Sequence, residues 1–357
     1  MLQRIFRGAA LTAALLLAGT TWAAACEKPR QMDGFKTCAN VEKAFQEGDL
    51  VHYAPDTESA QAQYLTEFRK TFPQIKTNFL RLQTGALYAR INAERQGRTY
   101  VPDTLILTEI GFALDFQKRG GYALYPSPEL EFYKPHMKSS PEGYFTWDNE
   151  IIAGIAYNPT VVKPAEAPTS WQDLLNPRWK GQMMWSTSRG SGAPQFVGNI
   201  LVSMGQEAGK AYLQKLKQQN IAKSTASARQ ILDLVIAGEY PLSVQIFNHH
   251  AHISKAAGAP VEWHPLEPVT ATNNSIGLVK TAPHPHAAML FMDFVLSRKG
   301  QRVFQAANYL PAHPEVPALQ ADLKPGVRFK KANYLSPELL YDKSNEWADY
   351  FEKEFLR

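Results

Sequence analysis

Two histidines stand side by side at 249 and 250, with His252 and His264 close behind, so four of the nine histidines gather in one short stretch. Imidazoles suit zinc, copper or nickel better than hard ferric iron. They also donate hydrogen bonds to organic anions, and a contact that needs protonated imidazole weakens as pH rises through roughly 6 to 8. A metal site shows the opposite trend, because its imidazoles must first lose their protons. A pair at a helix start, one ring in a cleft and one in solvent, is the plain structural alternative.

A second patch is the loop Ser188-Arg189-Gly190-Ser191-Gly192-Ala193. Small residues before a helix let backbone N–H groups approach an anion at the positive helix end. The hydroxyls of Ser188 and Ser191 add donors, and the planar fork of Arg189 fits a carboxylate or a phosphate. A tight turn with Ser191 as N-cap and Arg189 in solvent accounts for the same residues. Thr84 and Gly85 precede another helix, with Tyr88 one turn on as cleft wall or core. Asp56, Thr57 and Glu58 end a candidate strand at its carboxyl edge, where open α/β sheets bind ligands, and Glu109 follows the strand Asp103–Thr108 in the same way. The candidate ligand contacts are thus Thr57, Thr84, Gly85, Glu109, Arg189, Ser191, Gly192, Ala193, His249 and His250. No cofactor and no catalytic residue are expected. A metal receptor using Glu109, His249 and His250 is the alternative.

Nothing in the chain matches G-x-S-x-G, H-E-x-x-H, C-x-x-C, the P-loop or G-x-G-x-x-G, which argues against a secreted hydrolase or a nucleotide enzyme. The net charge of +5 is mild, and no dense basic tract with interleaved aromatics occurs, so no nucleic-acid partner is expected.

Elements must hold these groups in place. Glu58–Thr71 has helical spacing and gives way to the alternating Ile75, Thr77, Phe79 and Arg81 of a strand. A helix after Thr84-Gly85 and the strand Asp103–Thr108 complete an alternation that predicts a parallel α/β sheet. Trp147–Tyr157 is β-rich and reads as a first crossing between lobes, where Trp147 and Asp148 line the cleft or lock the hinge; Asn274–Lys280 reads as the return. Between the crossings the pattern repeats, with a short helix at Trp171–Leu175, a strand at Gln182–Trp185 and a helix opening near Ser191. A capping box at Ser227 and Gln230 and the strand Pro241–Phe247 follow. A helix is expected over Pro337–Phe355.

At the start, Arg4 and Arg7 precede an apolar run from Ala9 to Ala18 and then Ala23-Ala24-Ala25, the three parts of a secretory signal over residues 1–25. Cys26 and Cys38 are the two cysteines. In an oxidising periplasm they can close a small disulfide loop. The competing expectation is a lipid anchor at Cys26, which would leave Cys38 as an odd thiol. The roughly 330 residues after the leader exceed what one core usually serves and predict two lobes.

The segments Pro168–Gly181, Arg189-Gly-Ser-Gly192, Ala237-Gly-Glu-Tyr-Pro241, Asn274–Lys280, Ser297–Gln301 and Tyr309-Leu-Pro311, in this order, resemble the type II periplasmic solute-binding proteins of ABC transporters. The likeness is to the branch of extracellular solute-binding protein family 1 that holds ferric-iron, phosphonate and phosphosugar binders. It implies an α/β fold of two lobes with a hinge and an interlobe ligand cleft. Lobe 1 would comprise 47–150 plus 275–357, lobe 2 would comprise 151–274, and 26–46 would form an N-terminal segment. It also implies a periplasmic, monomeric receptor without enzymatic activity that captures a small, anionic organic solute and passes it to membrane permease subunits. Ser191-Gly192-Ala193 matches the family's anion-holding step, and Thr108-Glu109 matches a carboxylate ligand of the iron binders. His249 and His250 depart from the pattern, since the iron binders carry adjacent tyrosines there.

Overall fold

The computed structural model describes Cys26 and residues 28–108, 110–189 and 192–357. The leader expected over 1–25 and the candidate contacts Glu109 and Ser191 lie outside the described residues. Cys26 and Cys38 are joined in a disulfide, with Cα atoms 5.7 Å apart. The bridge lies beside a short hairpin of β1 (Arg30–Met32) and β2 (Phe35–Thr37).

After α1 (Val41–Glu47) the chain alternates as its periodicity predicts: β3 (Asp49–Ala54), α2 (Glu58–Thr71), β4 (Lys76–Arg81), α3 (Thr84–Gln96), β5 (Thr104–Leu107) and α4 (Ile110–Lys118). In α2, Ala60, Gln61, Tyr64, Leu65 and Phe68 form one buried face, and the Thr57 hydroxyl caps its start by accepting from the Ala60 N–H. Phe68 is fully buried among Phe72, Phe291 and Phe294, a placement that contributes roughly 1.5–3 kcal/mol of transfer energy. The polar sequence of β4, KTNFLR, suits the sheet edge that it occupies.

A long strand, β6 (Thr146–Tyr157), is buried at every position. Beyond it come β7 (Met183–Ser186), α5 (Ala193–Met204), α6 (Gln206–Lys217), β8 (Ala222–Ser224), α7 (Ala228–Ile236), β9 (Leu242–Phe247), α8 (Asn248–Ala256) and β10 (Glu262–His264). The capping box on α7 forms as expected, Ser227 with Gln230. A second long buried strand, β11 (Val269–Leu278), then returns. It begins earlier than the sequence pattern suggests, because Val269–Asn273 adds a polar but fully buried stretch that hydropathy does not mark as strand. The chain ends with α9 (Pro285–Leu296), α10 (Arg298–Ala306), β12 (Leu310–Pro311), β13 (Ala332–Tyr334) and α11 (Pro337–Phe351).

Among the described residues these strands form an eleven-stranded sheet with the main order β4-β3-β5-β11-β6-β9-β7-β8. Two parallel blocks, β4-β3-β5 and β9-β7-β8, flank the antiparallel pair β11–β6. The pair is shared between them: Ser275–Leu278 of β11 bonds to β5, while Ala153–Tyr157 of β6 bonds to β9. The register of β11 against β6 shifts between Asn274 and Ser275, so the ribbon bends where it passes from one block to the other. The last helix does not stay with one block: α11 packs against both α4 and α5, and an added Cβ on Gly198 of α5 would collide with the Trp347 ring at 2.2 Å. Among the described residues no helix is long and apolar enough to cross a membrane.

Candidate functional site

Parallel strands of both blocks end facing one another, and the segments just past their carboxyl ends enclose a cavity of about 300 Å³. On the first side stand Asp56 and Thr57 beyond β3, Arg81 at the end of β4, Thr84 and Gly85 opening α3, and Thr108 beyond β5. Facing them are Ser188 and Arg189 beyond β7, Ser227 and Arg229 beyond β8, and His249 and His250 beyond β9. Brought together from distant parts of the sequence, these residues occupy the crevice where open α/β sheets bind ligands.

One helix start at the cavity keeps donors available. No side chain caps the N-terminus of α3, so its first N–H groups present a positive end, whereas in α8 the His249 N–H donates to the Asn248 side-chain oxygen at 2.7 Å. Gly85 faces open space, with nothing within 4 Å of a built Cβ. Thr84 is buried, and its hydroxyl accepts from the Thr108 N–H at 3.3 Å. Thr57 donates its N–H to the Tyr309 hydroxyl at 3.2 Å, and the Tyr309 ring lies against His249 with centroids 4.7 Å apart. Thr57, Tyr309 and His249 therefore connect the two sides at the back of the cavity.

Three arginines reach the site, and they differ in how they are held. Arg81 is exposed, and no carboxylate among the described residues lies within ion-pair distance of it. Arg229 is half-buried, donates to the Ser254 hydroxyl at 2.6 Å and pairs with Asp233. Arg189 pairs with Asp349 at 2.7 Å and with Glu352, so its fork is held towards the C-terminal segment.

The histidines are not cations. Burial pulls His249 down to about 3. Burial also holds His250 well below its ordinary value, helped by the charges of Arg229 and Arg81 and by His249. The expectation of a protonated imidazole meeting an anion is therefore corrected: these rings are neutral at pH 7, and the positive charge at the cavity is that of the arginines. The Nδ1 atoms of both rings are buried without a hydrogen-bond partner among the described residues. Also among the described residues, no group of three or more His, Cys, Asp or Glu is placed to hold a metal.

Gly192 and Ala193 stand behind Ser188 rather than in the cavity wall. A Cβ on Gly192 would lie 2.4 Å from the Ser186 carbonyl oxygen, which explains the glycine as a close approach of backbone. Its N–H donates to the Ser188 carbonyl at 3.0 Å, so it is not aimed at a ligand in this conformation. Ala193 is fully buried.

Among the described residues Asp56 is the acid that lines the cavity. Its carboxylate accepts from Asn274 at 2.7 Å and from Gln61 at 3.0 Å, and burial raises its pKa to about 6. Beneath it, on β6, Asp148 is fully buried with both carboxyl oxygens lacking partners among the described residues. Burial and the neighbouring Asp56 push its pKa well up.

The profile of the bacterial extracellular solute-binding proteins matches residues 99–334. The chain belongs to that family. Its members are receptors for solutes outside the cytoplasm, not enzymes, and they deliver small molecules to ABC-transporter permeases. Among curated relatives, iron uptake protein A1 of Synechocystis sp. is 25% identical over 247 residues, 66% of this chain and 68% of that protein. A putative 2-aminoethylphosphonate-binding periplasmic protein of Salmonella typhimurium is 29% identical over 168 residues, and the match spans 45% of this chain and 49% of its own length. The periplasmic binding protein AfuA of Actinobacillus pleuropneumoniae, solved with fructose-6-phosphate, superposes with a TM-score of 0.74 at 22% identity, covering 87% of this chain and 99% of that one. The fold is accordingly that of the two-lobed periplasmic binding proteins.

For this solute-binding protein, the structure brings the expected Thr57, Thr84, Gly85, Arg189, His249 and His250 to one cavity together with Asp56, which the sequence places at a strand's carboxyl edge, and adds Arg81 and Arg229, which sequence reasoning does not single out. Arg81 carries only the signal of a strand's last alternating residue, and Arg229 that of a capped helix. Their convergence depends on which strands lie side by side.

Proposed function

We propose that this protein is the periplasmic receptor of an ABC importer for a small organic anion, bearing a phosphate, phosphonate or carboxylate group and gripped between the two lobes. The observation that carries the reading is the pairing of Arg81 from one side with Arg229 from the other across a single cavity. Guanidinium groups from opposite walls attract an oxyanion from both sides, and the start of α3, which no side chain caps, adds donors of the same sign. The relatives named for phosphonate and phosphosugar ligands are consistent with that chemistry.

Lobe 1 is drawn as 47–150 plus 275–357 and lobe 2 as 151–274, with β6 and β11 as the crossings. Since α11 packs on both α4 and α5, closing the cleft must carry this helix with one lobe or slide it against the other. Export by the leader, a monomeric state and docking to permease subunits complete the proposal. The iron-uptake relative keeps a metal receptor in view, with Glu109, His249 and His250 as its ligands.

A thermal-shift panel of phosphonates, sugar phosphates, carboxylates and neutral sugars tests the reading together with elemental analysis. A bound solute at a hundredfold excess over Kd stabilises by about 2.7 kcal/mol. Stabilisation by an anion, lost in Arg81→Ala/Arg229→Ala, is the expected result. Stabilisation by neutral solutes alone, or stoichiometric metal removed by His249→Ala/His250→Ala, overturns it.

A further inference from the structure

A second cavity, of about 540 Å³, adjoins the first and shares Phe112 and Arg189 with it. Its walls come from both lobes and from the helix that joins them: Tyr88 and Phe112 of the first, Gln195 of α5, and Tyr341 and Asn345 of α11. Tyr88 and Phe112 stack with centroids 4.6 Å apart and planes at 28°. The Tyr88 hydroxyl donates to Asp115, which Arg119 also holds, so the ring pair is fixed from behind. The floor is packed as well, since a built Cβ on Gly111 would meet the α11 backbone at 3.5 Å, an ordinary contact distance.

The two spaces differ in chemistry. Arg81, Arg229 and the uncapped start of α3 serve the first, whereas aromatic faces and an acid already bonded by Tyr88 and Arg119 serve the second. Arg189 stands at their junction, drawn aside by Asp349 and Glu352, which leaves Phe112 as the surface between them. A tetrahedral oxyanion needs only part of the first cavity, and an apolar group attached to it is led by Phe112 into the second.

Building on the anion reading above, we propose that the second cavity is a tail subsite and that the solute is an extended anion, an oxyanion head carrying an aryl group that packs against Phe112 and Tyr88. Aromatic pairs of this kind prefer offset or edge contacts and favour planar tails over branched ones.

The test compares inorganic phosphate with phenyl phosphate and benzyl phosphate by calorimetry on the mature protein. Wild type should bind an aryl phosphate at least about 10-fold more tightly than inorganic phosphate, a difference of about 1.4 kcal/mol. Asn345→Trp, an exposed position on α11, should fill the second cavity and erase that advantage while leaving inorganic phosphate within about twofold. Phe112→Ala should reduce the advantage in the same direction, and Arg81→Ala should weaken all three ligands together. Equal binding of head and aryl ligands, unaffected by Asn345→Trp, overturns the tail subsite and leaves the anion reading standing. If none of the three binds to wild type, the aryl-phosphate subsite fails, and the anion reading is then decided by the wider panel of phosphonates and carboxylates.

Discussion

The two walls of the cleft present the same charge by different means. On the first, Arg81 sits exposed at the end of the edge strand β4, without a carboxylate in ion-pair distance among the described residues. On the second, Arg229 is half-buried on a capped helix and already bound to Asp233 and Ser254. An exposed charge chiefly attracts a ligand from a distance, whereas a half-buried, hydrogen-bonded one chiefly retains it. On the proposed anion reading, the first wall would thus govern arrival and the second residence.

Losing the held arginine should be the larger effect. Arg229→Ala removes charge-assisted hydrogen bonds of about 1.5–3 kcal/mol and should weaken the anion roughly 30-fold, mostly in the dissociation rate by stopped flow. A change confined to the association rate would erase the distinction between the walls.

Next comes the seam beneath them. Asp148, fully buried and unpartnered among the described residues, is held protonated by burial and by Asp56. A carboxyl whose folded pKa is raised gives a stability fully present below the unfolded pKa near 4 and lost as pH rises from there towards the folded value. Asp148→Asn should therefore stabilise the protein at pH 7.5 and much less at pH 4, read from urea midpoints. An equal effect at both pH values would mean that the carboxyl has a partner.

Smaller again is the effect of the exposed charge. Arg81→Ala should slow association about fivefold at low salt, and the difference should shrink as ionic strength shortens the screening length from about 30 Å at 0.01 M to about 8 Å at 0.15 M. Salt-independent loss would place Arg81 in the same class as Arg229.

Much of the fold is legible in the sequence because local periodicity sets it. The helix Glu58–Thr71 and the capping box at Ser227 emerge as the pattern predicts, since side-chain spacing and a cap act within a few residues. The start of β11 is not legible, because Thr270, Thr272 and Asn273 are polar yet buried between neighbouring strands. The site divides in the same way. Thr84-Gly85 and His249-His250 are visible as residues just past strand ends, whereas the role of the arginines depends on strand order. The charge state of the histidines is set by burial, which spacing does not encode.

That charge state decides the smallest and most discriminating effect, the dependence of affinity on pH. With His249 held near 3 and His250 lowered too, neither ring titrates between pH 6 and 8. Asp56 does change there, because burial raises it to about 6. Below that value its neutral carboxyl tolerates an anion in the cavity; above it, a carboxylate faces the ligand and repels it. Affinity for an anion that does not itself titrate in this range, such as a sulfonate analogue, should weaken a few-fold as pH rises from 5 to 7.5. The direction matches what a protonated histidine would give, so the direction alone decides nothing. Asp56→Asn should flatten the profile, whereas His249→Ala should leave its midpoint in place. Imidazole proton resonances that shift with a midpoint near 6.5 would return the charge to the histidines and make the second wall, not the first, the pH-sensitive one.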